Sequence, residues 1–276
     1  MMTGSHIELS LAPLEDLAAL ERDWCELQAR ADIDFYMSWG WIGALIRRSG
    51  LKPFVLRAQD GGRIVALGLL LANRQTRHGW LKSRKLYLNE TGDLDIDIVF
   101  IEHNGFLCDR AYGQALHARC IDHVLTSPEA KRLLGRWDEW RFGGVSQDYL
   151  KLLEATGLRV NTYAAKHSGV IDLDSLRHRG QDYLSTLSSN TRYQIRRALK
   201  LYGERGPVAV TAARTDADFA RYLDGLIEMH QKYWSARGGK GAFGYPFLDG
   251  FHREIVRNRG PLGEIELLRI AAGDFE

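Results

Sequence analysis

The chain has 276 residues, 26% of them charged, and a formal net charge of +2. This length exceeds a typical single domain of roughly 100 to 200 residues, so two compact units are expected. The small net charge excludes a whole-protein preference for polyanions and argues against a disordered chain. Cys25, Cys108 and Cys120 are widely spaced, and we expect reduced, buried thiols.

Targeting and membrane signals are absent from the sequence pattern. The N-terminus is polar, and the longest apolar run, residues 64–72, is much shorter than the roughly 20 residues that a membrane helix needs. We therefore expect no membrane span and a cytoplasmic location.

Strands and helices alternate along the first 166 residues, which predicts an α/β fold (α+β, with mixed sheets) and an N-terminal domain over 1–166. A hairpin is expected at Asp60-Gly61-Gly62, because glycine supplies the positive φ angles of a tight turn. In order, the predicted elements are a strand at 7–11, helices over 14–31 and from 38, strands at 54–57, 63–74, 85–88 and 96–102, a helix over 109–127, a strand at 140–142, a helix from 146 to 157 and an extended segment at 158–165.

The same plan recurs later in the chain. After a short strand at 170–173 and a basic helix, a strand is predicted at 208–211, helices over 216–237 and 245–256, and a strand at 265–270. The recurrence predicts a second domain over 167–276, which would be incomplete because the sequence stops at Glu276 soon after the turn that follows this strand.

The most basic predicted helix spans residues 187–202. Arg192, Arg196 and Lys200 lie four apart, so they share one face. Such a ridge can bind a phosphate, a nucleotide, an RNA backbone or an anionic glycan. Serine residues at the helix N-terminus add to this preference, since that end of a helix also favours anions. A solvated helix face is the alternative explanation.

Several segments together resemble a known family. They are Leu-Ser-Ser-Asn-Thr-Arg-Tyr-Gln-Ile-Arg-Arg-Ala at 187–198, His-Gln-Lys-Tyr-Trp at 230–234, Asn-Glu-Thr-Gly at 89–92 and Ile-Glu-His-Asn-Gly at 101–105. This set is similar to the FemAB-like branch of the GNAT acyltransferases, and in particular to CelD-like acetyltransferase-domain proteins. The resemblance covers nearly the whole chain. It implies tandem GNAT-like domains, the second one incomplete here.

The resemblance implies transfer of an acyl group from acetyl-CoA or another acyl-CoA to an amine or amino sugar, in envelope or exopolysaccharide synthesis. The expected partners are therefore the acyl-CoA donor and a small-molecule or glycan acceptor, without DNA and without a metal. Aminoacyl-tRNA is a less favoured donor, and a homodimer is compatible with the pattern. A non-catalytic GNAT-like scaffold that binds an anionic glycan or RNA is the alternative function.

Candidate site residues combine this resemblance with the chemistry of the side chains. Glu102, at a predicted strand end, can take a proton from an acceptor amine, although a cap-and-turn role explains it equally. His230 and Trp234 share a helix face and can line an acceptor cleft, with core packing as the alternative. The candidate catalytic residues are Glu102 and His230, and the candidate substrate-binding residues are Asn104, Arg192, Tyr193, Arg196, Arg197 and Trp234.

The resemblance also implies a donor loop, in which Arg or Gln is followed by x-x-Gly-x-Gly or x-x-Gly-x-Ala after the fourth strand. The second domain would carry it beyond Glu276. In the first domain, residues 74–79 imitate it only loosely. The expectation is therefore an acyltransferase whose donor loop this chain lacks.

Two sharper motifs are not supported by their context. Residues 239–244 read G-x-G-x-x-G but follow a helix, whereas a dinucleotide-binding loop follows a strand. The acidic run Asp93, Asp95, Asp97 lacks the glycine and the glutamate of a calcium loop, so no structural calcium is expected.

Overall fold

The computed structural model describes residues 6–77 and 80–274. The chain has a mixed α/β fold and forms two compact units. The first contains Met1–Val160 and Leu223–Ile265, and the second contains Asn161–Tyr222 and Glu266–Glu276. These units differ from the predicted division at residue 166 in the place of residues 223–265.

Helices and strands alternate along the chain. The first part contains β1 (Ile7–Pro13), α1 (Leu17–Gln28), α2 (Trp39–Ser49), β2 (Phe54–Asp60), β3 (Arg63–Arg77), β4 (Leu81–Leu88), β5 (Leu107–Cys108), α3 (Gly113–Thr126), α4 (Pro128–Leu134), β6 (Glu139–Arg141) and α5 (Gln147–Glu154). The second part contains α6 (Leu173–His178), α7 (Tyr183–Thr186), α8 (Ser189–Gly203), β7 (Val208–Ala212), α9 (Asp216–Ser235), α10 (Pro246–Arg259) and β8 (Leu268–Ala272).

The first unit is built on a sheet with the order β1-β2-β3-β4-β6. The first four strands are antiparallel, and β6 runs parallel to β4. The β2–β3 hairpin turns at Gly61 and Gly62, whose φ angles are 56° and 82°, as the turn chemistry predicts. A parallel β6 needs a crossover connection, which α3 and α4 supply.

The fourth strand of this sheet is interrupted. Leu70 of β3 pairs with Leu88 of β4, while Leu67 of β3 pairs with Leu107 of β5. Since β2 occupies the other edge of β3, β4 and β5 lie on one line and run in the same direction. Residues 89–106 therefore form an excursion out of a single strand, and α3 follows soon after that strand is completed.

Side chains alternate between two cores, one on each face of the sheet, because successive strand residues point to opposite faces. Val55 and Leu67 belong to the core that includes Trp24 of α1 and Ile42 of α2. Their neighbours in the strands, including Leu56 and Leu70, belong to the core under α3, α4 and α5.

Helix α10 packs on the first core although it lies far away in sequence. Phe251 is fully buried, and its ring meets that of Trp41 edge-on, with the centroids 4.8 Å apart. Beside this contact, Arg47 Nε donates to Glu254 Oε1 over 2.9 Å. The aromatic contact explains why Trp41 is buried in α2, together with Trp39 on another side of the same helix.

The second unit contains an antiparallel pair, β7 and β8, in which Val210 lies opposite Ile270. Both side chains are exposed, as is most of α8, which has no buried residue. The predicted recurrence of strand, helix, helix and strand is present in both halves, with a 3-10 turn before the second helix each time.

Most predicted elements are confirmed, including the basic helix with its Ser188 cap and the helix that Ser146 caps. Two strand predictions are wrong. Residues 96–102 contain only a 3-10 turn at Asp97–Val99, and residues 170–173 lead into α6, whose first turn Asp172 caps through Ser175 N. The predicted extended segment at 158–165 forms no strand, and α4 was missed.

Phe251→Ala is predicted to lower the free energy of unfolding by about 3–5 kcal/mol, because it removes a fully buried ring between α2 and α10. Denaturant unfolding measures this value. Leu94→Ala is the control, since that side chain is 86% exposed and its loss should change stability by less than about 0.5 kcal/mol. Equal effects of the two substitutions would contradict the packing described for α10.

Candidate functional site

A cavity of about 710 Å³ lies in the first unit, where the excursion meets the start of α3 and the start of α5. This volume falls within the range of roughly 300–1,000 Å³ that small-molecule sites occupy. Its lining comes from four segments: residues 31–34 and 37, residues 103–106, Arg110, Gln114 and His117, and residues 146, 148, 149 and 152.

Two buried asparagines hold the ends of the excursion together. Asn89 Nδ2 donates to Asn104 Oδ1 over 3.0 Å and to the Gly105 carbonyl over 2.8 Å. In turn, Asn104 Nδ2 donates to the Leu88 carbonyl over 2.8 Å, and Asn89 Oδ1 accepts from Leu69 N. These side chains replace the ladder hydrogen bonds that the broken strand lacks, so the backbone groups there remain satisfied.

Backbone strain is concentrated in the excursion. Asn89, Phe100 and His103 have φ angles of 53°, 51° and 54°, and no other described non-glycine residue has a positive φ. Each such conformation costs of the order of 1–3 kcal/mol where it is sparsely populated, and strain of this kind clusters at functional sites. His103 lines the cavity itself.

Asp97 explains why the predicted strand at 96–102 does not form. Its carboxylate accepts from the backbone N–H groups of Thr91 and Gly92, over 2.9 and 2.7 Å, and from the Thr91 hydroxyl. This local alternative to strand pairing turns the chain at Asp97. The acidic run is therefore a turn device, and among the described residues no group of His, Cys, Asp and Glu could hold a metal ion.

The first turn of α3 carries a sequence pattern that the sequence analysis missed. Residues 110–115 read Arg-Ala-Tyr-Gly-Gln-Ala and follow directly on the completed fourth strand. This is the Arg-x-x-Gly-x-Ala form of the implied donor loop. The expectation that the chain lacks such a loop is corrected here. Arg74, in the loose imitation considered before, lies inside β3, and His78 and Gly79 fall outside the described residues.

The local structure of this pattern leaves N–H groups free for an anion. No side chain caps α3, and its first turn has no acidic residue. Gly113 has φ 57° and ψ −157°, a conformation that is essentially restricted to glycine. Because a helix N-terminus presents unpaired donors and a positive partial charge, this turn favours a phosphate.

Arg110 is fixed at the cavity wall. Its Nε donates to Asp32 Oδ1 and its Nη2 to the Ala31 carbonyl, each over 2.8 Å. One terminal nitrogen remains unused by these bonds. The signal that could have identified this loop was the two-residue strand at 107–108, which is too short to recognise from hydrophobic pattern alone.

Two polar atoms at the cavity have no hydrogen-bond partner. Tyr149 is only 8% exposed, and its hydroxyl is unpaired, as is Nδ1 of His117. Burial raises the pKa of Tyr149 well above its ordinary value, against a smaller lowering by the Phe106 amide. Burial also lowers the pKa of His117 to about 4. A neutral phenol and a neutral imidazole therefore face each other at 5.5 Å between ring centroids.

Acidic groups surround another part of the cavity. Asp34 accepts from Tyr36 N, and its Oδ2 lies 3.8 Å from His103 Nε2. Burial raises the pKa of Asp34, and the nearby Glu102 carboxylate adds to the rise while His103 opposes it. Of the predicted residues, Asn104 lines the cavity and Glu102 lies beside Asp34 and Tyr36.

The other predicted residues lie elsewhere. His230 contacts Trp234, with ring centroids 6.1 Å apart, and Phe243 edge-on at 5.2 Å, so the predicted shared face exists but does not line the cavity. Arg192, Tyr193, Arg196 and Arg197 lie on α8 in the second unit. Arg192 donates to the carbonyl oxygens of Leu187 and Ser185, so one member of the expected cationic ridge also closes the turn before α8.

Comparison with known proteins identifies one family. Residues 189–274, from α8 to the end of β8, match the family model of the acetyltransferase (GNAT) domain. The chain carries a GNAT acetyltransferase domain. This match supports a general N-acyltransferase with acetyl-CoA as donor and an amine or other small molecule as acceptor. No curated protein sequence matches significantly.

Solved structures similar to this chain include three acetyltransferases. They are aminoglycoside 6′-N-acetyltransferase from Acinetobacter haemolyticus (14% identity, 59% of this chain and 99% of that chain, TM-score 0.36), an acetyltransferase from Trypanosoma brucei (20%, 58% and 99%, 0.34) and glucosamine-6-phosphate N-acetyltransferase from Arabidopsis thaliana (12%, 60% and 99%, 0.36). TM-scores this low carry no argument about fold or substrate. In the part of the chain that the structure describes, none of the helices is both long and apolar enough to cross a bilayer.

Glu90, at the base of the excursion, provides a prediction about pH. Its Oε2 accepts from Gly143 N over 2.7 Å, yet burial raises its pKa from 4.5 to about 7. The unfolded chain loses this proton near pH 4.5, and the folded chain holds it until about pH 7. Stability should therefore fall as pH rises through this window.

Glu90→Gln is predicted to remove this fall and to raise the free energy of unfolding by about 1–3 kcal/mol at pH 8, with little change at pH 4. Urea unfolding of both proteins at the two pH values measures the difference. Glu154→Gln, at an exposed carboxylate, is the control and should leave the difference near zero. A wild-type advantage at pH 8 would overturn the assignment.

Proposed function

We propose that the first unit binds an acyl-CoA at the start of α3 and transfers its acyl group to an amine or amino sugar at the cavity. The observation that carries this proposal is the position of Arg110-Ala111-Tyr112-Gly113-Gln114-Ala115. The pattern follows the fourth strand, and Arg110 and Gln114 line the cavity. The family match supports the acyl-transfer chemistry, although it covers residues 189–274 and not this loop.

Donor binding follows from the properties of the α3 N-terminus. The pyrophosphate of an acyl-CoA would accept from the uncapped N–H groups of the first turn, and Gly113 keeps the backbone open there. Arg110 adds positive charge, which its pairing with Asp32 partly offsets. The bound acyl-CoA supplies a thioester, and the cavity holds the residues that act on it.

Each chemical role has a candidate group at the cavity. Attack of the acceptor nitrogen on the thioester carbonyl breaks the C–S bond, and the leaving sulfur needs a proton. Tyr149 can donate that proton, since its hydroxyl is neutral and makes no other hydrogen bond. The acceptor nitrogen releases a proton in the same reaction, and the acidic groups Asp34 and Glu102 are placed to take it.

The acceptor proposed is an amine because the cavity carries acidic groups without a matching excess of basic ones. Asp32, Asp34 and Asp148 line it, while Arg110 is the single Lys or Arg in the described lining. The FemAB-like and CelD-like resemblance extends this proposal to an amino sugar and to envelope or exopolysaccharide synthesis. Asn104 positions the excursion, and the roles proposed for His230, Trp234 and the α8 residues Arg192, Tyr193, Arg196 and Arg197 stay predictions.

A second candidate function rests on α8. Arg196, Arg197 and Lys200 are exposed, and none of them forms an ion pair among the described residues. Such a surface suits an anionic glycan or an RNA backbone, as a non-catalytic scaffold would require. Binding of an acyl-CoA separates the two functions, because catalysis needs the donor and a scaffold does not.

Gln114→Glu is predicted to weaken CoA binding at least tenfold in isothermal titration calorimetry. The new carboxylate lies in the first turn of α3, where it repels a phosphate but favours the helix, so stability should be unchanged or slightly higher. Gln194→Glu makes the same charge change at an exposed residue of α8 that does not line the cavity. Equal CoA affinity in the wild type and Gln114→Glu would refute the donor site.

Tyr149→Phe is predicted to lower kcat about 10- to 100-fold with acetyl-CoA and an amine acceptor, while leaving the CoA dissociation constant unchanged. Stability should not fall, because the lost hydroxyl is buried and makes no hydrogen bond. The matched control is Tyr36→Phe, at a tyrosine outside the described cavity lining. An unchanged kcat would exclude Tyr149 as the acid.

A further inference from the structure

The far end of the β3–β4 hairpin carries cations on one face. Arg74 of β3 lies opposite Arg84 of β4, and Thr76 lies opposite Lys82. Ala72 and Leu86 occupy the preceding rung, and Leu86 is buried in the core under α3, α4 and α5. The hairpin therefore extends beyond the core that its inner rungs cover, and the same face changes from apolar to cationic. We call residues 74–76 and 80–84 the hairpin end.

The charges of the hairpin end are not neutralised within the described part of the chain. Arg74, Lys82 and Arg84 have no ion pair there. The carboxylate that lies close by, Asp138, accepts from the backbone N–H of Arg84 over 2.9 Å. In sequence, residues 74–85 contain five Lys and Arg and no Asp or Glu. Like charges directly opposite each other destabilise a strand pair, so folding does not account for this arrangement.

Two apolar side chains lie at the turn, past the cations. Trp80 is 77% exposed and Leu81 is 45% exposed. Tryptophan and leucine at the tip of a projecting element, with Lys and Arg behind them, follow the order of depth at a bilayer surface. Apolar groups enter the boundary of the acyl chains there, and cations remain at the level of the headgroups.

We propose that the hairpin end binds the surface of an anionic lipid bilayer. Trp80 and Leu81 enter the interface, and Arg74, Lys82 and Arg84 meet the anionic headgroups. Charge complementarity selects an anionic surface, and the apolar tip selects a lipid over a nucleic acid or a glycan, since Leu81 gains nothing from a phosphate backbone. This proposal does not depend on acyl-CoA binding, because none of these residues lines the cavity.

Flotation with lipid vesicles tests the proposal. The full chain is mixed with vesicles of phosphatidylcholine alone or with roughly one quarter phosphatidylglycerol, at about 0.1 M salt. We expect flotation only with the anionic vesicles, and its loss at high salt. Arg74→Gln/Lys82→Gln should weaken binding about 25-fold, at about fivefold for each cation. Trp80→Ser/Leu81→Ser should also weaken it, and should abolish any blue shift of the tryptophan fluorescence.

The double variant Lys52→Gln/Leu158→Ser is the matched control, since it removes one exposed cation and one exposed leucine elsewhere in the first unit. It should bind vesicles within about twofold of the wild type. Thermal unfolding of each variant shows that the fold is kept. The proposal is overturned if anionic vesicles do not float the protein, if both hairpin variants float as well as the control, or if the hairpin cations bind poly-U RNA or heparin while vesicles are ignored.

Discussion

Two buried asparagines keep the fourth strand of the sheet interrupted, and the candidate site depends on that interruption. Asn89 and Asn104 satisfy each other and the backbone at both ends of the excursion. An unpaired backbone group in this position would cost about as much as a lost hydrogen bond, so the break exists only because these amides close it. Gly144 completes the support, since a Cβ there would clash with the carbonyl oxygen of Ile101.

The break has two consequences for chemistry. It lets residues 103–106 form a wall of the cavity, and it returns the chain to β3 just before the first turn of α3. Phosphate-binding donors and a set of acidic side chains are thus placed at one cavity, although they carry opposite preferences for charge. A negatively charged donor and a positively charged acceptor can therefore bind together without competing for the same groups. The unpaired Tyr149 hydroxyl lies between fixed elements, where the cost of leaving it without a partner is offset only if a ligand supplies one.

Sequence reasoning predicted the regular elements well where periodicity and caps were clear, as in α8, α5 and the β2–β3 hairpin. It failed where a side chain overrides the local pattern. The run at 96–102 has the apolar character of a strand, but the Asp97 carboxylate captures the Thr91 and Gly92 amides and turns the chain. The donor loop was missed for a related reason. The loop is defined by its place after the fourth strand, and half of that strand is a two-residue segment that only its pairing with Ala66 and Leu67 reveals. Glu102 and Asn104 were correctly selected as neighbours of a cavity, whereas Asp34, His117 and Tyr149 have no local signature and become visible only when distant segments meet.

The central claim is that the start of α3 holds the phosphates of an acyl-CoA. The most direct measurement is a titration of isotope-labelled protein with CoA, followed by amide chemical shifts in NMR. The account predicts the largest and saturable changes at the amides of residues 113–116, with smaller changes around the cavity. Changes confined to α8, or none at α3 when CoA is in excess, would contradict it.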